Sequence, residues 1–425
     1  MLPNVIEELN SRGLVSQKSD AELDRICARP MTVYAGFDPT AESLHIGNLL
    51  QIILLRHYQN HGHRPIALMG GATAMIGDPS GKSAERNLLG PETIARNLGG
   101  IEKQLRQFLD FSGPRGALLV NNADWIGRFS FIEFLRDVGK HFRVGEMMGK
   151  ESVRKRLQSD TGMSYTEFSY QLLQAYDFLH LARTQECILQ TGGDDQWGNI
   201  TAGIELARKL DGRGLFGLTS PLITTAGGQK FGKTEAGTIW LDAARTSPYE
   251  FYQFWMRVDD RDVVKLLKYF TFLPLAEIAG LEKTVQEAPE KRAAQALLAE
   301  ELTKLVHGPE ATRQAQNATA VLFGQAISGL SDGDLASIFA DVPSTRRERS
   351  QLRAGLGLVD ILVETKLSPS RGEAKKLLKA GGVYINNLKA DANNLDYQLT
   401  EKDLASTSVL VLRTGKKNYH LLKFT

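Results

Sequence analysis

Residues 39–51 read "PTAESLHIGNLLQ" and place His45 and Gly47 where an apolar-periodic helix begins. Leucine or alanine would serve a helix better at both positions, so chemistry is the other reason for them. A helix N-terminus offers unpaired N–H groups and a partial positive charge, which suit a phosphate. Gly47 lets a flat ring or a phosphate lie against the backbone, and Thr40 and His45 add side-chain donors. A second cluster, "KFGKT" (230–234), sets Lys230, Lys233 and Thr234 in a glycine-rich stretch, as mobile groups that can clamp a pyrophosphate. A third, "GGATAMIGDPSGKSAER" (70–86), approaches a Walker phosphate loop and fails it. The first glycine of that pattern falls on Ile76, and Pro79 removes an amide. Lys82 and Arg86 remain as cations and Asp78 as a carboxylate. Finally, Tyr170, Gln174 and Asp177 share one face of a long helix. The turn "QTGGDDQWGN" (190–199) brings Gln190, Gly193, Asp195 and Gln196, which suit an amine and ribose hydroxyls. Taken singly, each cluster has a bland reading: a structural histidine, solvated lysines, a polar helix face. Together they point to a nucleotide site.

Those residues need a frame. "TVYAGF" (32–37), "RPIALMGG" (64–71), "GALLVNN" (116–122) and "CILQTGG" (187–193) read as strands, with helical segments between them. Such alternation predicts βαβ crossovers and an α/β, Rossmann-like, doubly wound parallel sheet, whose ligands bind beyond the carboxyl ends of the strands. From about 247 to 323 the pattern is helical, residues 324–351 read as a linker with a short helix, and the tail reads as two short helices, a Gly-Gly break and a strand ending in an Asn-Asn turn. The expected division is a catalytic domain over 1–223, the KFGKT stretch with an α-helical domain over 224–323, the linker over 324–351, and a small α+β domain over 352–425.

The chain has 425 residues, 42% hydrophobic and 24% charged, a composition ordinary for globular domains. Cys27 and Cys187 lie far apart and form no CxxC pair, which excludes a disulfide framework and a cysteine zinc site and fits a reducing compartment. No apolar run approaches a membrane span, and no basic-then-apolar leader opens the chain, so a cytoplasmic enzyme without a membrane partner is expected. Residues 352–425 hold 12 Lys+Arg against 7 Asp+Glu, a net +5, while the remaining 351 residues carry −3. A basic tail on a mildly acidic body suggests nucleic acid at one end; the alternative is a solvated lysine-rich face.

On these motifs the chain resembles the bacterial-type tyrosyl-tRNA synthetases, of class I. "LHIGN" resembles the His-x-Gly-His signature, and "KFGKT" the Lys-Met-Ser-Lys-Ser signature in its tyrosyl form. "YAGFDPTAESLHIG", "YQLLQAYDF" and "GGDDQWGNI" are close to tyrosyl-specific, and "SPSRGEAKKLLKAGGVYIN" resembles the S-four RNA-binding domain. Asn48 departs from the pattern, standing where the signature has its second histidine. It can donate a hydrogen bond but never carry charge.

The resemblance implies tyrosine activation by ATP, with Mg²⁺ accompanying the nucleotide and no dedicated metal cage, followed by transfer to tRNA(Tyr) in a homodimer. It assigns catalysis to Thr40, His45, Asn48, Lys82, Arg86, Lys230, Lys233 and Thr234. Tyr34 and Asp177 would bond the substrate hydroxyl, and Asp78, Tyr170 and Gln174 its ammonium group, with Gln196 near the carboxylate. Gly36, Asp38, His45, Gly47, Gly193, Asp195 and Lys233 would bind ATP. The basic helix "GKESVRKRL" (149–157) would touch tRNA phosphates. Other readings are a tryptophanyl enzyme, which the Tyr34/Asp177 pair and the basic tail oppose; another nucleotidyltransferase, for which the tail is unexpected; and a non-catalytic RNA-binding protein, which would not be expected to keep His45 and the loop lysines. Removing residues 352–425 is expected to spare tyrosine-dependent pyrophosphate exchange while impairing tRNA charging; normal charging kinetics in the truncated protein would take the tail out of the reaction.

Overall fold

Two strands meet edge to edge at the centre of this protein, and both end at the candidate residues. In the computed structural model β1 (Gln17–Lys18), β2 (Thr32–Phe37), β3 (Arg64–Met69), β4 (Leu118–Asn121), β5 (Cys187–Gly193) and β6 (Phe216–Ser220) form one sheet in the order β1-β6-β5-β2-β3-β4. All neighbours from β6 to β4 run parallel, and β1 adds an antiparallel edge. The model describes residues 4–81, 88–158, 162–228, 231–234, 237–322, 324–327, 329–339, 342–415 and 418–425. It gives only the backbone at 152, 155, 233, 234, 322 and 337.

Connections after β2 travel outward to β3 and β4, whereas β5 returns to pair on β2's other edge and β6 continues away from it. The order therefore reverses between β2 and β5, and a parallel doubly wound sheet opens a crevice at such a point. The helix Ile46–Asn60 fills the first crossover; it buries Ile46, Leu49, Leu50, Ile52, Ile53, Leu54, Leu55 and Tyr58, apolar almost all round, as a central helix must be. The helix Tyr165–Gln185 leads into β5, capped by Ser164, whose Oγ accepts from the Glu167 N–H at 3.2 Å, and closed by Glu186 at φ 51°. Ala175, Phe178, Leu179 and Ala182 of this helix, with Tyr34, Ile66 and Leu68 of the sheet, make the core beneath the crevice.

Contacts divide the chain into two compact units, Met1–Thr246 with Val258–Ala294, and Ser247–Arg257 with Gln295–Thr425. The expected boundaries at 223, 323 and 351 are not where these units divide. The helices Asp260–Phe270 and Leu275–Glu287 belong with the sheet, while the helix Pro248–Met256 belongs with the tail. The stretch 324–351, expected as a linker, holds the helix Asp332–Ile338 and the strand Ser344–Arg347, which pairs in parallel with Asn418–Phe424. "STRR" lies on a sheet edge with alternate residues exposed, so polar side chains suffice and no hydrophobic pattern marks it. In the same unit the strand Val409–Thr414 is buried along its length. Leu410 and Leu412 meet the helices Leu358–Glu364 and Arg371–Lys379, and Val409 and Val411 join a second cluster with Val321 and Leu335.

Candidate active site

β2 ends in Gly36-Phe37 and β5 in Gly192-Gly193, and one cavity of about 430 Å³ opens beyond them. Its lining includes Tyr34, Gly36, Asp38, Thr40, His45, Gly47 and Asn48 from β2 onward. Asp78 comes from the loop after β3, Tyr170, Gln174 and Asp177 from the long helix, and Gly193, Asp195 and Gln196 from the end of β5. Four clusters far apart in the chain thus share one wall-to-wall space. Lys82, Arg86 and Lys230 lie outside the described residues. Lys233 and Thr234 are described as backbone alone, in a two-residue strand paired with Gly237–Thr238; their neighbours Phe231 and Gly232 line the cavity.

His45 is the N-cap residue of the helix Ile46–Asn60, with extended backbone at φ −125°. The Asn48 amide oxygen accepts from the His45 N–H at 3.1 Å, so the residue that replaces the signature histidine closes the helix's first turn and retains its amide NH₂ as a donor. A Cβ on Gly47 would stand 2.8 Å from the His45 ring, too close for any side chain. That explains His-x-Gly: the glycine leaves room for the imidazole over the helix start.

The carboxylates are held by neighbours distant in sequence. Asp38 accepts from the Tyr170 hydroxyl at 2.9 Å and the Thr73 hydroxyl at 2.8 Å. A Cβ on Gly70 would fall 1.9 Å from the Asp38 carboxylate, so only glycine fits there. Asp78 accepts from the Ser80 N–H at 2.9 Å and from Gln196 Nε2 at 2.8 Å. Asn199 Nδ2 donates to Gln174 Oε1 at 3.0 Å, and Gln174 Nε2 to Gln196 Oε1 at 3.2 Å. Asp194, beside Asp195, accepts from Ser16 and Thr219, a structural clasp on β6.

At the other end Asp177 is fully enclosed. Its oxygens accept from Asn122 Nδ2 at 3.0 Å and Trp125 Nε1 at 2.8 Å. Burial pushes its carboxyl up to about 7, against the pull of those two donors. Burial, with the charge of Asp177 next in weight, raises the Tyr34 hydroxyl well above its usual range. Tyr34 Oη, Gln190 Oε1, Thr191 Oγ1 and Gln51 Oε1 line the cavity, are buried and have no hydrogen-bond partner among the described residues. An unpaired buried group costs about 1–3 kcal/mol, so these four mark where a polar ligand repays its own desolvation.

Asn122, Trp125, Thr73, Gln51, Thr191 and Asn199 escaped the sequence reading. "NNADW" (121–125) follows a parallel strand, which is a positional signal, but nothing local says that Asn122 and Trp125 serve a carboxylate 55 and 52 residues on. Among the described residues no group of three His, Cys, Asp or Glu could hold a metal ion, and no helix is long and apolar enough to cross a membrane.

A parallel sheet with a His-x-Gly helix start at its switch point fits the class I tRNA synthetases that the sequence motifs resemble, and the relatives of the chain bear this out. Residues 27–324 match the family of class I tRNA synthetases for W and Y, and residues 334–422 match the tyrosine–tRNA ligase SYY-like C-terminal domain. The tyrosine–tRNA ligase of Rhodopirellula baltica is 53% identical over 425 residues, covering 99% of this chain and 96% of that protein. The Bacillus velezensis ligase is 52% identical over 428 residues, covering 100% of both. A truncated mitochondrial tyrosyl-tRNA synthetase of Aspergillus nidulans superposes with TM-score 0.68 at 31% identity, over 75% of this chain and 94% of that one. The chain belongs to the tyrosine–tRNA ligases.

Because the Asp177 carboxyl titrates near 7 when folded and near 4 when unfolded, the folded state holds its proton longer, and this group's contribution to stability declines as pH rises from about 4 through about 7. Asp177→Asn, which cannot ionise, is therefore expected to gain stability relative to the parent protein between pH 5 and 8, by roughly 3 kcal/mol. Paired urea titrations across that range check the sign, and a flat or falling difference would contradict it.

Proposed function

We propose that this cavity joins L-tyrosine to ATP as tyrosyl-adenylate, releases pyrophosphate, and then passes the tyrosyl group to the 3′ end of tRNA(Tyr). The observation that carries this reading is the unpartnered Tyr34 hydroxyl sharing the cavity's inner end with the buried Asp177 carboxylate. A phenol donates its proton to an ionised Asp177 and accepts from Tyr34, satisfying both. Phenylalanine leaves the Tyr34 hydroxyl unpaired and brings Asp177 no donor beyond Asn122 and Trp125, so discrimination comes from binding and needs no editing. Asp78, Tyr170 and Gln174 line the same cavity and receive the substrate ammonium, with Gln196 by its carboxylate.

The attacking group is already a carboxylate, so no activated nucleophile or general base is needed. Catalysis rests on positioning and on donors placed where charge develops. Thr40, His45 and Asn48 meet the phosphates at the helix start. Lys82, Arg86, Lys230, Lys233 and Thr234 take the departing pyrophosphate. Gly36, Asp38, Gly47, Gly193 and Asp195 form the nucleotide's bed, close to the backbone at the strand ends. Asp38 and Asp78 are each committed to two protein donors, which fits Mg²⁺ arriving with the triphosphate rather than in a protein cage. The division into catalytic (1–223), helical (224–323), linking (324–351) and RNA-binding (352–425) parts is retained as a functional division, with the basic tail and the exposed Arg154 of the stretch 149–157 taking tRNA phosphates in the cytoplasm. Arg156 of that stretch is buried against Glu167 and is not available for this.

The homodimer has support of its own. Phe131, Ile132, Val144, Met148, Leu157 and Tyr165 are all exposed, with Ile132 at 68%. Val144, Met148, Leu157, Tyr165 and Phe168 edge one shallow groove, and apolar patches of this kind mark interaction faces. Tyr165→Asp is expected to convert a dimer to a monomer in sedimentation equilibrium without loss of helix content; an unchanged mass would remove this face from the assembly.

Tyr34→Phe is expected to lower the tyrosine-over-phenylalanine preference in pyrophosphate exchange about tenfold, the worth of one lost buried hydrogen bond, while sparing the KM for ATP. An unchanged preference ratio would refute its role.

A further inference from the structure

Asp262 and Lys265 lie about one turn apart on the helix Asp260–Phe270, and neither lines the cavity. A carboxylate this early in a helix commonly serves its own free amides. Here Asp259 does that, accepting from the Arg261 N–H at 2.9 Å. The Asp262 carboxylate reaches away instead. Its Oδ2 accepts from the Ala226 N–H at 2.8 Å, and its Oδ1 from Lys265 Nζ at 3.2 Å. Lys265 Nζ also donates to the Thr224 carbonyl at 3.2 Å. Asp262 is only 4% exposed, so its own bonds are largely sheltered from water, while the Lys265 bond to Thr224 lies at the surface.

Thr224 and Ala226 are the outgoing arm of "TTAGGQKFGKTEAG". The returning arm is tied elsewhere: the Ile46 N–H donates to the Ile239 carbonyl at 3.2 Å, and the Leu241 N–H to the Leu44 carbonyl at 2.9 Å, on either side of His45. The helix that carries Asp262 packs on the helix Ile46–Asn60. Beyond its C-terminus the buried Arg12 donates to the carbonyls of Thr271 at 2.9 Å and Leu273 at 2.8 Å. Both arms are thus referred to the helix that His45 begins.

We propose that Asp262 and Lys265 are positioning residues, which hold the outgoing arm so that the loop's lysines reach the pyrophosphate without first having to order the chain. This rests on the reading above that Lys233 acts on the pyrophosphate. Fixing backbone costs about 1–2 kcal/mol per residue, and an arm already tied at two points has met part of that cost before ATP arrives.

The full-length protein carries the test, through tyrosine-dependent pyrophosphate exchange. Asp262→Ala and Lys265→Met are each expected to lower kcat about tenfold, while the KM for tyrosine stays within about twofold, because the inner end of the cavity is untouched. Asp262→Asn keeps an acceptor oxygen for Ala226 and is expected to retain more activity than Asp262→Ala. Amide exchange at residues 224–228 is expected to rise in Asp262→Ala and not along 46–60. In a Lys233→Ala background the further loss from Asp262→Ala should shrink to under about twofold, since both act through one loop. A full loss in that background, or unchanged kcat in both single variants, overturns the proposal. Should Lys233→Ala alone leave exchange unchanged, the pyrophosphate reading itself falls, a result distinct from the first. If Asp262→Ala does not fold, Lys265→Met, at a side chain 38% exposed, carries the same comparison.

Discussion

Tyr34 stands opposite Gln190 where β2 runs parallel to β5, and the chemistry of the molecule is arranged around that register. Parallel strands all point their carboxyl ends the same way, and helices leave from those ends with their N–H groups unpaired. Because strand order reverses between β2 and β5, the helices depart to opposite sides and leave a gap. The gap receives the His45 helix start on one side and the Gly193–Gln196 turn on the other. A one-residue slip would turn Tyr34 and Gln190 to the far face of the sheet. No rearrangement of loops could recover the cavity after that.

The cavity lining gathers carboxylates and hydroxyls from Tyr34, Asp38, Asp78, Tyr170 and Asp177 with the His45 imidazole and the Asn48, Gln174 and Gln196 amides. Asp38 and Asp78 are each fixed in place by two named protein donors. Asp177 is different, because burial opposes its charge and only Asn122 and Trp125 support it. Such a group lowers stability in the ligand-free protein, and so do Tyr34, Gln190 and Thr191 with their unpaired atoms. Folding tolerates this because the core below is otherwise packed from Phe178, Leu179, Ile66, Leu68 and their apolar neighbours. Sites of recognition are where a protein departs from its own optimum for stability.

The tail unit follows the opposite plan. Its strand Val409–Thr414 is covered on both faces by apolar side chains. Arg353, Arg371 and Lys376 stand exposed outside that core, while Arg413 on the strand itself is buried over the Tyr384 ring. Charge there is largely a surface property spread over a broad area, whereas in the cavity Asp38, Asp78 and Asp177 each accept from two named protein donors. A surface of that kind suits electrostatic attachment to a large polyanion, and a cavity of this kind suits specific readout of a small molecule.

Much of the cavity was legible without coordinates. Helical spacing alone put Tyr170, Gln174 and Asp177 on one face, and alternation of strands and helices gave the parallel sheet and the strand ends where the cavity opens. His45 and Gly47 at a helix start, and Gly193 through Gln196 at a strand end, are local patterns that short-range sterics dictate. Other features had no such trace. Asn122 and Trp125 look like any loop residues until they meet Asp177, Tyr170 reaches Asp38 across 132 positions, and "STRR" enters the tail sheet on an edge that needs no apolar code. The helical stretch after 246 was divided between two units by packing that its periodicity does not encode. Periodicity reports which face a residue occupies, because neighbours three or four apart share it whatever the fold. Which donor completes which acceptor depends on distant segments arriving together, and only the folded chain decides that.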